Sequence, residues 1–228
     1  MQQDYTPPEP PQPPPPPTAT GGSHNYPLTF SVDYPERELS RLTTFFRVFV
    51  AIPIAVVLGL VSGAAFGGSY DSSGGTYIAA GGILFLPPLV MLLFRQKYPV
   101  WWANWNRELL RFSNRVHAYF WLMSDEYPST DEEQFVHLDF PTPNGAELSR
   151  GLPLVKWLLA IPHYIVLFFL YIAAAICVFF TWFAILFTGR YPRSLFEFVE
   201  GVLRWGNRVT AYAFILVTDE YPPFSLQP

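Results

Sequence analysis

From Leu152 to Phe187 the chain is almost unbroken apolar sequence, with Lys156 and His163 its only ionisable side chains apart from Tyr and Cys. One bilayer crossing takes roughly 20 apolar residues at 1.5 Å of rise each. The run approaches twice that length, so it predicts two helices joined by a tight turn, a membrane hairpin over 152–188. An earlier stretch has the same character. Phe45 to Ala65 predicts a first crossing, with Ser40 placed as an N-cap and Pro53 placed to kink it. Gly67 to Gly75 reads as a polar turn, and Tyr77 to Phe94, interrupted by Pro87-Pro88, as a second crossing, which together give a hairpin over 42–94. Buried core helices of a soluble protein are the competing reading, but such cores rarely sustain so long an uncharged run.

Each apolar region is followed by a helix of another kind. Over 99–123, Asn104, Arg107, Glu108, Arg111, Asn114 and Arg115 recur at spacings of three and four, which places them on one face, with tryptophans and apolar residues supplying the rest. Over 193–217, Glu197, Glu200, Arg204, Asn207 and Arg208 form a similar stripe. Such helices lie in the membrane interface or cross it with the polar stripe turned inward, and the interfacial placement is the leading one. Ahead of the first hairpin, Leu28 to Pro35 alternates apolar and polar residues as a short half-exposed strand does.

The two halves correspond. Ser40-Arg41, Arg47 and Ala51-Ile52-Pro53 recur 109 residues on as Ser149-Arg150, Lys156 and Ala160-Ile161-Pro162. Tyr98-Pro99, Arg111, Asn114-Arg115 and Ala118-Tyr119 recur 93 residues on as Tyr191-Pro192, Arg204, Asn207-Arg208 and Ala211-Tyr212. Both halves close on Asp-Glu-Tyr-Pro, at 125–128 and 219–222, and Asp33-Tyr34-Pro35 is answered by Asp139-Phe140-Pro141. So many matches in register predict a tandem duplication. The units are 28–128 and 129–228, preceded by a tail, 1–27, that carries ten of the 24 prolines. That tail has the composition of a disordered polyproline segment; it is either a solvated tail or a docking motif for a proline-binding partner.

Charge adds a topology. With two crossings per unit, all 14 Lys and Arg residues fall on one side, and the positive-inside rule makes that side cytoplasmic, along with both termini. The expected location is the cell (inner or plasma) membrane, multi-pass, with lipids and other membrane subunits as partners. A net charge of −4 argues against nucleic acid. The single cysteine, Cys177, allows no intramolecular disulfide and reads as a small hydrophobe.

The segments Ser149 to His163, Thr188 to Phe196 and Asp219 to Phe224 resemble a bacterial membrane-protein family catalogued only as a domain of unknown function. The resemblance is best over 137–226 and looser over 30–128. It implies membrane localisation with short apolar hairpins and supplies no catalytic residue.

Candidate chemistry is sparse. His163 follows Pro162 in apolar surroundings, where a polar group is costly unless satisfied. A structural role leads; ligand or proton handling is the sharper alternative. With His163, Arg107, Arg111, Glu200, Arg204 and Arg208 make a candidate polar or lipid-headgroup site, against the blander reading of the charged stripes as a mutually paired cytoplasmic face. Packing of the two amphipathic helices about a pseudo-twofold predicts a pair between Arg107 and Glu200. No nucleophile–base arrangement, phosphate loop or zinc spacing is present in the sequence, and no cofactor is expected. The prediction is an all-α membrane protein, a tandem repeat of transmembrane hairpin plus amphipathic interfacial helix with about four transmembrane helices. Its expected role is a non-enzymatic scaffold or accessory subunit. A small transporter with a polar path between the units is the alternative.

Overall fold

The computed structural model describes residues 26–62 and 86–228. The proline-rich tail, the glycine turn at 67–75 and most of the second crossing lie outside the described residues. Within them the chain forms β1 (Thr29–Val32), α1 (Arg41–Ser62), α2 (Leu86–Arg95), α3 (Val100–Phe120), β2 (Val136–Asp139), α4 (Leu152–Leu159), α5 (Ile161–Thr188) and α6 (Arg193–Thr210), which runs into a π-helical turn, Ala211–Ile215.

The strands pair antiparallel, Phe30 opposite Leu138 and Val32 opposite Val136. Alternation sends Phe30, Val32, Val136 and Leu138 into the core and leaves Thr29, Ser31, His137 and Asp139 exposed. β1 matches the alternating pattern. β2 does not follow from the sequence reading, and the fold is therefore mostly helical with one small sheet rather than all-α. The sheet lies lengthwise on the amphipathic helices, each strand on the helix of the other half. Arg111 Nε donates to Leu138 O at 2.8 Å, and Arg204 Nε donates to Phe30 O at 2.9 Å.

α1 runs back along α3, from Arg47 beside Tyr119 to Ile54, which clusters with Phe112 and Val116. Ser40 caps it: Thr43 N–H reaches Ser40 Oγ at 3.4 Å. The hairpin predicted over 152–188 is not formed. α5 is one uninterrupted helix of 28 residues, about 42 Å long at 1.5 Å per residue. The break falls early instead, at Ala160, because Pro162 has no N–H to offer Leu158 O and its ring crowds that carbonyl. α4, with 8 residues, spans only about 12 Å and cannot cross alone. Two segments, Arg41–Ser62 and Leu152–Thr188, are long and apolar enough to cross a membrane by length and composition.

α5 packs antiparallel along α6, with Tyr164 near Phe214, His163 against Trp205 and Tyr171 over Gly206. A Cβ at Gly206 would lie 2.2 Å from the Tyr171 hydroxyl oxygen, so a larger residue there displaces the end of that ring. α5 ends on Gly189 (φ 73°), whose N–H reaches Ile185 O at 2.8 Å.

Candidate functional site

Beside His163, the polar side chains that pack against the core fall into three groups, from fully buried to half-exposed. The first is an anchor at the start of each apolar segment. Lys156, fully buried, forms an ion pair with Asp219 at 2.7 Å, donates to Thr218 O at 2.7 Å and sits over the Tyr212 ring at 5.2 Å. Arg47 does the same with Asp125, Ser124 O and the Tyr119 ring, 4.3 Å from its guanidinium carbon. Each carboxylate also accepts a backbone N–H, from Ser149 at 2.6 Å and from Ser40. Burial pushes the Asp219 carboxyl up, but Lys156 and the Ser149 N–H outweigh it and hold the group below the usual carboxylate range.

At the centre, Asn114 and Asn207 face each other. Each Nδ2 donates to the other Oδ1 at 2.8 Å, and each spends its second N–H on the carbonyl four residues back, Leu110 at 2.8 Å and Leu203 at 2.9 Å. Every N–H of the two amides is thus used in a site nearly closed to water.

The charged stripes form the third group, and each is tied to the sheet. Arg107 donates to Phe140 O at 2.7 Å and pairs with Asp139 at 2.9 Å. Arg111 adds Glu108 at 2.8 Å to its bond with β2. On the other helix Glu200 pairs with Arg204 at 2.6 Å and accepts Val32 N–H at 3.2 Å. Burial leads there, raising the Glu200 carboxyl above its ordinary value despite Arg204. Arg208 sits beside the Tyr26 ring, whose hydroxyl donates to Arg208 O at 3.2 Å. The predicted pair of Arg107 with Glu200 does not form, because the strands run across these faces and supply a nearer partner to each. Nor do the stripes make one cluster with His163.

His163 is fully buried in an aromatic box. Its ring stacks on Phe224 at 4.0 Å, and Nδ1 accepts the Trp205 indole N–H at 3.0 Å. That bond requires a bare Nδ1, so the proton of the neutral ring is on Nε2. Nε2 has no partner among the described residues. The sequence reading missed the anchors, the amide pair and Trp205. The first two had a signal, since their members recur at matching positions in both halves.

The halves close their final turns differently. Met123 N–H closes on Ala118 O at 2.9 Å, five residues back, whereas Val217 N–H closes on Ala211 O at 3.1 Å, six back. The π-helical turn Ala211–Ile215 absorbs that extra residue, so the spacing changes from 93 at Tyr119 and Tyr212 to 94 at Asp125 and Asp219 without displacing the anchor.

Residues 153–225, from α4 to the C-terminal segment over His163, match a family model described as Domain of unknown function (DUF4389). No curated protein and no solved structure matches the chain.

Proposed function

We propose that the protein is a non-enzymatic scaffold or accessory subunit of a membrane assembly, formed by tandem duplication of one unit. It sits at the cell membrane with its basic surface and both termini on the cytoplasmic side, and its partners are lipids and other membrane subunits. One observation carries this reading: the ionic and amide groups of the interior are spent on each other and on backbone carbonyls, while α1 and α5 leave long apolar sides bare. Groups held this way lock the two halves together, which suits a part that presents surfaces rather than one that turns over a substrate.

The test is purification of the full chain from its own membranes in mild detergent. A stoichiometric membrane partner, retained when His163 is changed to Asn, supports the scaffold. Purification alone, with solute flux in proteoliposomes that is lost on changing His163, Glu200 or Arg204, would establish the competing transporter reading.

A further inference from the structure

The bare side of α5 is apolar from end to end. Ile165, Phe169, Ile172, Ile176, Phe180 and Phe187 recur at spacings of three, four and seven, and each is between 46% and 77% exposed. A patch of this size on a chain this apolar requires a cover. Two observations identify that cover and how it is met.

The first is what runs beside α5. α6 lies along it, and β1 lies along α6, with Val32 bound at Glu200, Phe30 at Arg204 and Tyr26 at Arg208. The sheet therefore sits beside the middle of α5, and its outer side carries exposed Asp33, His137 and Asp139. If α5 stood upright across a bilayer, these groups would lie at mid-depth in hydrocarbon, where a charged side chain costs several kcal/mol.

The second is charge at the ends. Exposed Arg150 precedes α4, and exposed Arg190 follows α5. α5 is uninterrupted from Ile161 to Thr188 and α4 before it is only about 12 Å long, so a single crossing by α5 would put Arg150 and Arg190 on opposite sides, against the bias that keeps Arg and Lys on one side. A rod lying flat keeps both at the same headgroup layer.

We propose that α5, and α1 beside it, lie in the plane of the membrane and bury their bare sides in one leaflet, with Arg150, Arg190 and Arg41 at anionic headgroups. This proposal rests on the membrane reading above and replaces crossing with one-sided insertion. Helices held so sit about 5–10 Å into the headgroup–acyl boundary.

The test uses the full chain with Cys177→Ala and single nitroxide-labelled cysteines replacing Ile165, Ile172, Phe180 and Phe187, in vesicles of phosphatidylcholine and phosphatidylglycerol. Accessibility to oxygen and to an aqueous nickel chelate gives the depth of each label. The expected result is one shared shallow depth, with lost vesicle binding on joint change of Arg150 and Arg190 to Glu. A depth that peaks at 172 and 180 and falls toward 165 and 187, which would face opposite sides, would overturn the proposal but keep the membrane reading. Full exposure to the chelate at all four sites, with no vesicle binding, would overturn both. Labels shielded from both reagents and broadened by spin–spin coupling would instead identify a second copy as the cover.

Discussion

Asn114 and Asn207 exchange two hydrogen bonds of 2.8 Å across the centre of the molecule, and no other hydrogen bond or ion pair joins α3 to α6 among the described residues. Removing one member leaves the other amide buried with a donor and an acceptor unmet, which costs about 1–3 kcal/mol. Asn114→Ala and Asn207→Ala are each expected to destabilise by that much in urea unfolding in mild detergent. The double variant should cost less than their sum by about 0.5–3 kcal/mol. Strict additivity would show that the pair does not join the halves.

Part of this arrangement was legible in the sequence, and the reason lies in which residues recur. Ser40, Arg47, Asn114 and Asp125 have counterparts at Ser149, Lys156, Asn207 and Asp219, and every one of those matches makes the same kind of contact. The strand β1 followed from alternation, but β2, only Val136–Asp139, is too short to stand out. The continuity of α5 was hidden because an apolar run has the same composition whether it turns or not; only the position of Pro162 marks the break. The burial of the charged stripes was hidden for another reason. Their partners are backbone carbonyls such as Phe30 O, 174 residues from Arg204, and carbonyls leave no mark in residue type.

The ion pair of Lys156 with Asp219 makes stability depend on pH in a stated direction. The folded carboxyl is held below its ordinary value, so its contribution is complete above about pH 3.9 and is lost as pH falls through the lower folded value. Asp219→Asn should flatten that acid limb of a stability–pH profile. Lys156→Met leaves a partly buried carboxylate without its cation and should cost about 3–5 kcal/mol at neutral pH. Lys156→Arg, the residue at the matching position 47, should retain most of the stability. An unchanged acid limb in Asp219→Asn would refute the assignment.

Two helix ends solve one problem with different residues. Gly189 closes α5 at φ 73°, while Gln96, its counterpart after α2, takes φ 47° with a side chain in place. Gly189→Ala adds a left-handed penalty of about 1–2 kcal/mol and brings a Cβ toward Glu38. Gln96→Gly removes that penalty but loses the 2.7 Å bond from Arg150. The first variant should lower the unfolding midpoint and the second should leave it nearly unchanged. Equal losses in both would show that the left-handed backbone is not what matters.

His163 offers a sharper separation between packing and chemistry. Its Nδ1 is occupied by Trp205 of α6 and its ring is covered by Phe224 of the C-terminal segment, so the imidazole ties both to α5. His163→Phe keeps the stack and removes the acceptor, stranding the indole N–H of a buried Trp205 at a cost of about 1–3 kcal/mol. Trp205→Phe in the same chain removes the stranded donor, so the double variant should recover part of that loss and report a coupling of about 0.5–3 kcal/mol. His163→Asn, able to accept through its amide oxygen, should be milder than His163→Phe. Tryptophan emission gives an independent readout, since loss of the bond changes the environment of one indole without unfolding the rest. If the variants change partner binding or flux while unfolding and emission stay as in the parent, the histidine acts through the unpartnered Nε2, and its role is chemical rather than architectural.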